Sequence, residues 1–215
     1  MNQELIKRIL SSIVLIPVAL FFVIKGSFLF IFFISTCFCI ISYEWHMMRK
    51  KKSYYFLGFL FLIFSFVTIY ELRFANYIIG NDYIWVLIIT FICVATDIGG
   101  YIFGKLLKGP KLTKLSPNKT YTGMFGGYIL SLIFLYISLQ YFKLEFSIEW
   151  LFFILLVSSV SQLGDIIISY FKRLSKIKNT GKIIPGHGGL LDRIDGMIFS
   201  FPIYYIVDLS GYLNL

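Results

Sequence analysis

The stretch IIPGHGGLLDRIDG, residues 183–196, contrasts with the apolar chain around it, because it brings a histidine, an arginine, two aspartates and four glycines together. A glycine-rich turn can wrap backbone N–H groups around an anion. Carboxylates beside such a turn suit a Mg²⁺ ion, which binds oxygens and bridges a protein to phosphates. These residue types at this spacing therefore predict chemistry on a phosphorylated substrate.

The two aspartates and the histidine of this stretch each have more than one interpretation. Asp192 and Asp195 are three residues apart, a spacing that places both on one face of a helix, where they could hold a metal ion. Acids in a first helical turn also interact favourably with the helix dipole, so capping is the alternative. His187 has no second histidine near it, which argues against a transition-metal site and favours a role in ordering the loop.

Two further aspartates, Asp97 and Asp165, interrupt or close long apolar runs, in VATDIGGY and SQLGDIII. A carboxylate at membrane depth is costly, and such residues usually face a cavity, a cation or a partner. Glycines beside both aspartates allow close approach of another backbone, which favours a functional role. The alternative for each is an interfacial carboxylate that is satisfied by a nearby lysine.

A second polar segment, residues 105–123, contains five lysines and no acid. One interpretation is the excess of positive charge typical of cytoplasmic loops, together with contact to anionic lipid. The other is that Lys111, Ser116 and Lys119 reach phosphates. SPNKT followed by glycines predicts a turn and then a glycine-faced helix start, which could cradle an anion.

The composition indicates which elements must position these residues. Hydrophobic residues make up 58% of the 215, only 14% are charged, and the mean hydropathy is +0.82. Soluble domains carry about 25% charged residues, so the sequence predicts an all-α polytopic integral membrane protein. Since a spanning helix needs about 20 apolar residues, about seven spans are expected, at residues 9–24, 27–45, 54–70, 77–96, 124–142, 150–168 and 197–212.

The distribution of positive charge predicts the orientation of these spans, because cytoplasmic loops carry the excess of Lys and Arg. With the N-terminus in the cytoplasm, all but three of the 20 Lys and Arg residues fall on one side; the exceptions are Lys25, Arg73 and Lys143. The polar loops 97–123 and 169–196 are therefore expected at the cytoplasmic face of the inner membrane, and the polar site with them.

Residues 169–195, SYFKRLSKIKNTGKIIPGHGGLLDRID, resemble the signature of the phosphatidate cytidylyltransferase family, the CDP-diacylglycerol synthases. TDIGGYIFGKLLKGPKLTKLSPNKTYTG and QLGDIIISYFKR are similar to two further stretches of that family. The likeness covers residues 83–208, so we expect a catalytic membrane region at 83–215 that follows N-terminal helices at 1–82. The matching signature positions are Ser169, Lys172, Arg173, Lys178, Pro185, Gly186, His187, Gly188, Gly189, Asp192, Arg193 and Asp195.

The resemblance implies transfer of the cytidylyl group of CTP to phosphatidate, which gives CDP-diacylglycerol and pyrophosphate. It also implies a Mg²⁺ cofactor, with a second, monovalent cation as an option. In that scheme Asp165, Asp192 and Asp195 are catalytic and hold the metal. The other catalytic residues are Lys172 and Arg173, which neutralise phosphates, and His187, which orients a phosphate or the loop. Substrate binding is assigned to Asp97, Lys111, Ser116, Lys119, Ser169, Lys178, Gly186, Gly188, Gly189 and Arg193.

Three positions depart from the pattern of that family, which usually has an acid at each of them. They are Thr122, Ile168 and Asn179. Asn179 lies inside the signature itself, although an amide oxygen can still accept a hydrogen bond or contact a metal. The aspartates that a divalent site would most need are retained, so an active enzyme is expected.

Two other functions are compatible with parts of the sequence. A CTP-dependent enzyme with another lipid acceptor would need the same polar residues, since the acceptor is chosen by apolar grooves. A transporter would place ionisable residues in the middle of several spans, whereas the segments 9–24, 27–43, 54–70 and 124–142 contain no acid or base. The expected partners are CTP, phosphatidate and the lipid bilayer, with no nucleic acid, and a homodimer is an option.

Overall fold

The computed structural model of the chain describes residues 3–48, 52–74, 83–113, 116, 119–186 and 188–210, with side chains from residue 10 in the first range and from residue 54 in the second. Within these residues the backbone forms seven α-helices and two isolated β-bridges. The helices are α1 (Gln3–Lys25), α2 (Ser27–Met47), α3 (Lys52–Phe74), α4 (Ile84–Leu107), α5 (Tyr121–Phe142), α6 (Ile148–Leu174) and α7 (Leu191–Leu209).

The predicted all-α polytopic fold is confirmed. Among the described helices, α2 to α6 are each long and apolar enough to cross a membrane, and α1 contains a shorter apolar stretch, Leu10–Lys25. The polar loop expected at 97–123 is shorter than predicted, since α4 continues to Leu107 and α5 begins at Tyr121. The helix continues because the residues after Asp97, IGGYIFGKLL, keep an apolar character. Asp97 therefore lies inside a helix rather than at its end.

The chain divides into two compact units. Unit 1 contains Met1–Tyr83 and Tyr170–Asp195, and unit 2 contains Ile84–Ser169 and Gly196–Leu215. The division falls inside α6 and inside α7. Most of the signature segment thus belongs to the same compact unit as the N-terminal helices.

In unit 1 a tight turn joins α1 to α2 at Gly26, whose φ of 64° lies in the left-handed region that favours glycine. Arg73 reaches this turn from the end of α3 and is 6% exposed. Its guanidinium donates to the carbonyl oxygens of Val23 at 3.0 Å and Ile24 at 3.5 Å. A cation at these unsatisfied carbonyls stabilises the end of α1. The first three helices are therefore connected at this end of the unit.

In unit 2 the helices α4 and α5 approach each other through small residues. A Cβ atom on Gly99 would collide with the backbone of Gly126, so only glycine allows this approach. Small residues at a helix interface permit such close packing in membranes. The hydroxyl of Thr96 in α4 also donates to Ser158 Oγ in α6 at 2.9 Å. These contacts hold the helices that carry the lysine-rich segment and Asp165.

Candidate functional site

In unit 1 the loop 175–190 connects α6 to α7, and of its residues the structure describes 175–186 and 188–190. At its start the hydroxyl of Ser175 donates to the carbonyl oxygen of Met48, after the end of α2, at 2.6 Å. Both residues are buried. Further along, Ile184 and Gly188 exchange two backbone hydrogen bonds of 2.9 and 3.1 Å, so the chain turns back on itself between them. Backbone contacts therefore fix the glycine-rich turn at its base.

Glycines make this turn possible. The φ angles of Gly186 and Gly188 are 77° and 95°, a region that side chains disfavour. A Cβ on Gly188 would also lie 3.2 Å from Asp192 Oδ2 and 3.4 Å from the side chain of Asn179. Gly188 is thus required both by its backbone conformation and by the approach of a carboxylate. His187, between the two glycines, lies outside the described residues.

Asp192, in the first turn of α7, is an acceptor that holds this loop together. Its Oδ1 accepts a 2.8 Å hydrogen bond from Lys172 Nζ, in an ion pair whose lysine and aspartate side chains are 11% and 7% exposed. Its Oδ2 accepts from the N–H groups of Thr180 at 2.8 Å and Gly189 at 3.2 Å. The carboxylate therefore connects the end of α6, the loop and the start of α7, which is an anchoring role.

Asp195 has a different setting from Asp192. Ile194 lies between them with φ −123° and ψ 15°, which is not helical, so a three-residue spacing no longer fixes a common helical face. Asp195 is buried at 6% exposure. Four other predicted binding and catalytic residues of unit 1 lie in the described part of the chain. Arg173, Lys178 and Arg193 are exposed, and Gly189 is buried.

Glu44, for which the sequence predicted no role, also contacts this loop. It lies near the end of α2 and is 1% exposed. Its Oε1 accepts from the N–H of Leu190 at 2.9 Å, and its Oε2 accepts from the N–H of Leu191 at 2.8 Å and the hydroxyl of Thr180 at 2.9 Å. The sequence signal is an acid at the end of an apolar run, as for the intramembrane aspartates.

In unit 2, Asp165 forms an ion pair with Lys119 and accepts a 3.3 Å hydrogen bond from Ser169 Oγ, one turn later on α6. The lysine and aspartate side chains are 23% and 28% exposed, so neither is enclosed by the protein. This pairing is the alternative that the sequence left open for Asp165. The pair also offers a carboxylate that can bind a cation and an ammonium that can bind a phosphate. Each group would exchange its present partner for that ligand.

A short backbone hairpin between α4 and α5 positions Lys119. The carbonyl oxygen of Lys119 accepts from the N–H of Leu112 at 2.8 Å, and its own N–H donates to the carbonyl oxygen of Ser116 at 3.0 Å. At the base, the N–H of Tyr121 donates to the carbonyl oxygen of Pro110 at 3.1 Å. The predicted turn is therefore held at both ends. The two other predicted binding residues of this unit, Asp97 and Lys111, are exposed.

A preformed metal cage is absent from the described residues, since no three His, Cys, Asp or Glu side chains within them come together as a metal site. Mg²⁺ in proteins is usually held by one or two carboxylates together with phosphate oxygens and waters. Asp165 fits that requirement because its carboxylate is partly exposed. Asp192 fits it less well, because its side chain is only 7% exposed.

The three positions without the usual acid have different surroundings. The hydroxyl of Thr122 lies 3.0 Å from Thr120 Oγ1 at the start of α5. Ile168 is buried at 4% exposure. Asn179 is exposed and its side chain lies beside Gly188, next to the Asp192 carboxylate. An acid at position 179 would therefore bring a second negative charge close to the loop anchor.

Known proteins resemble this chain along most of its length. A family model described as the cytidylyltransferase family matches residues 58–210. A phosphatidate cytidylyltransferase of Rickettsia typhi is 34% identical over 219 residues, which cover 97% of this chain and 93% of that protein. The protein of the same name from Rickettsia bellii is 35% identical, with coverage of 96% and 92%. One from Staphylococcus epidermidis is 34% identical over 183 residues, with coverage of 81% and 67%.

Proposed function

The chain belongs to the cytidylyltransferase family, and on that basis we propose that it transfers the cytidylyl group of CTP to phosphatidate, giving CDP-diacylglycerol and pyrophosphate. The observation that carries this proposal is the nearly full-length similarity to relatives named phosphatidate cytidylyltransferase. Its membrane-spanning helices support a lipid substrate, because they keep the protein in the bilayer where such a lipid is found.

The chemistry of this reaction needs positioned charge more than it needs a nucleophilic side chain. An oxygen of the lipid phosphate attacks the α-phosphorus of CTP, the bond from that phosphorus to the bridging oxygen breaks, and pyrophosphate leaves with the negative charge. The attacking oxygen is already anionic, so a general base is not required. In phosphoryl transfer, positioning and charge neutralisation carry most of the catalysis.

We assign phosphate binding in unit 1 to the loop 175–190 and the exposed cations beside it. Hydrogen bonds to Asp192 and Glu44 hold the loop in one conformation, so little ordering is left to be done when an anion binds. Lys172 was predicted to neutralise a phosphate, but its ammonium pairs with Asp192, so we propose that it holds that carboxylate in place. The exposed cations are Arg173, Lys176, Lys178, Lys182 and Arg193.

In unit 2 we assign a ligand-exchange role to the pair of Lys119 and Asp165. The pair neutralises itself in the free protein. A phosphate oxygen would replace the carboxylate at Lys119, and a cation would replace the ammonium at Asp165, so neither charge loses its partner. Partial exposure favours such an exchange, because neither group is enclosed by the protein.

We propose Mg²⁺ as the cofactor, with Asp165 as a carboxylate that holds it and with Asp192 and Asp195 kept as predicted further ligands. When bound, the ion would neutralise charge that develops on the phosphate oxygens. A second, monovalent cation also stays a prediction. The exposed carboxylate of Asp165 and the need for phosphate oxygens in the ion's coordination favour an ion that enters together with the nucleotide.

The proposed location is the inner membrane, with the loop 175–190 and the lysine-rich segment at the cytoplasmic face. The excess of Lys and Arg in these two segments supports this orientation. CTP is a cytoplasmic, membrane-impermeant anion, so a site on that face has direct access to it.

The test uses the purified chain in detergent micelles with CTP labelled at its α-phosphate. Phosphatidate, diacylglycerol and a polyprenyl phosphate are supplied separately as acceptors, and label in the lipid fraction is measured. We expect labelled lipid with phosphatidate alone, and a product whose mass is that of CDP-diacylglycerol. Label with the polyprenyl phosphate and none with phosphatidate would contradict the proposed substrate. Unlabelled ATP and GTP in excess should compete weakly with CTP.

A further inference from the structure

Glu44 connects α2 to the phosphate-binding loop, although it lies ahead of residues 58–210, the range that the family model matches. Two of its three donors are the N–H groups of Leu190 and Leu191. Since α7 begins at Leu191, these are N–H groups at a helix start, which have no acceptor within the helix. A carboxylate from a helix far away in the sequence thus caps α7.

The environment of this carboxylate makes its hydrogen bonds specific to one loop conformation. A buried carboxylate is unfavourable unless its oxygens are paired, and Glu44 is 1% exposed. Its bonds of 2.8–2.9 Å have the length of charge-assisted hydrogen bonds. The partial positive charge at the start of α7 stabilises the anion further. Both oxygens are used, so a displaced loop would leave the charge without partners.

Two glycines of the loop pack directly against the Glu44 carboxylate. A Cβ on Gly189 would lie 2.6 Å from Oε2, and a Cβ on Gly181 would lie 2.7 Å from Oε1. Neither position has room for a side chain while Glu44 keeps its place. The carboxylate is therefore enclosed by backbone on both arms of the loop, which fixes each arm relative to α2.

Thr180 links the Glu44 carboxylate to the carboxylate of Asp192. Its hydroxyl donates to Glu44 Oε2 at 2.9 Å, and its backbone N–H donates to Asp192 Oδ2 at 2.8 Å. Two carboxylates from different helices thus hold a single loop residue through different atoms. A change at Glu44 is expected to reach the phosphate-binding turn through Thr180 and through the start of α7.

We propose that Glu44 is a positioning residue for cytidylyl transfer, because it holds residues 180–181 and 189–191 in the conformation that receives the phosphates of CTP. The proposal rests on the proposed function. It predicts that loss of the carboxylate lowers the population of the binding-competent loop. Apparent affinity falls in proportion to that population, whereas the chemistry of the bound state is unchanged.

The test replaces Glu44 by Gln in the full-length chain. Glu44→Gln keeps the shape but turns one acceptor oxygen into an NH₂ donor that must face other donors. The KM for CTP should rise about tenfold or more, the scale of one charge-assisted hydrogen bond, with kcat close to wild type. Amide hydrogen exchange in a peptide covering 183–191 should accelerate by a similar factor, and exchange in α5 should not.

Three further variants separate positioning from general effects. Glu145→Gln makes the same charge change at an exposed glutamate and should leave the KM for CTP and the exchange of 183–191 at wild-type values. Thr180→Val removes the hydroxyl that Glu44 accepts and should raise the KM in the same direction. Thr180→Ser keeps a hydroxyl and should remain nearer to wild type. This threonine pair decides the question even if Glu44→Gln fails to fold.

Several results would overturn the proposal. One is a wild-type KM for CTP together with wild-type exchange at 183–191 in Glu44→Gln. Another is a fall in kcat at constant KM with faster exchange throughout the chain, which would make Glu44 a general stability residue. If the wild-type chain itself transfers no cytidylyl group, the proposed function fails. The exchange of 183–191 then decides separately whether Glu44 holds the loop.

Discussion

Replacing Asp192 by Asn removes one charge from a buried ion pair and puts a donor where only an acceptor fits. The single carbonyl oxygen of Asn can face Lys172, or it can face the N–H groups of Thr180 and Gly189. In either orientation its NH₂ group points at other donors. The lysine and aspartate side chains of the pair are 11% and 7% exposed, so water cannot easily relieve the mismatch.

The magnitude follows from the stranded lysine. Removal of one partner from a buried ion pair destabilises the folded protein by about 3–5 kcal/mol, because an uncompensated charge stays buried. Asn retains either the lysine contact or the backbone contacts, so we expect Asp192→Asn to lower the free energy of unfolding by about 3 kcal/mol, the lower end of that range. Lys172→Met in the same chain removes the stranded charge. The unfolding free energy lost in the double variant should therefore be smaller than the sum of the losses in the two single variants, by at least about 1.5 kcal/mol.

The assay is unfolding of the purified chain by SDS in mixed micelles, for the wild type, both single variants and the double variant. Glu145→Gln serves as the control for charge removal at an exposed site. An unfolding free energy for Asp192→Asn within about 0.5 kcal/mol of wild type, the range of ordinary surface substitutions, would refute the anchoring role. Strict additivity in the double variant would refute it as well.

Three further outcomes are expected. Gly188→Ala should destabilise by at least about 1–2 kcal/mol in the same SDS titration, because its φ is 95° and a Cβ would approach the Asp192 carboxylate; wild-type stability would contradict the turn geometry. Asn179→Asp should leave the Mg²⁺ concentration needed for pyrophosphate release at its wild-type value, since an exposed ion pair with a neighbouring base contributes about 0–1 kcal/mol. A lower Mg²⁺ requirement in the variant would instead make position 179 part of a cation site. After replacement of the native cysteines, a cysteine at Lys182 should be protected from an impermeant thiol reagent in intact cells and one at Glu145 should react; labelling at Lys182 would reverse the proposed orientation.

The helices could be predicted because each apolar run is long and the loops are rich in lysine. The polar loop after α4 was predicted to begin at Asp97, although the apolar character of DIGGYIFGKLL also allowed the fourth span to run past it. The helix continues to Leu107 because the residues after Asp97 are mostly apolar. The single carboxylate of Asp97 lies on the exposed surface of the helix. The division into units could not be predicted, because it depends on which helices pack together, and apolar runs look alike.

The candidate site was predictable in its residue types and less so in its contacts. For Asp165 the sequence offered a lysine partner as one alternative, and the structure shows Lys119 in that place. The role of Glu44 could not be predicted, because two of its three donors are backbone N–H groups and all three are far away in the sequence. Residue types carry no information about such backbone donors, so only the fold reveals them.

Cytidylyl transfer to phosphatidate can be tested by measuring both products in one reaction. Purified wild-type chain, CTP, phosphatidate and Mg²⁺ are combined, and pyrophosphate and CDP-diacylglycerol are quantified over time. We expect equal amounts of the two products and no pyrophosphate when phosphatidate is left out. Pyrophosphate released together with CMP in the absence of lipid, or no release at any Mg²⁺ concentration, would contradict this expectation.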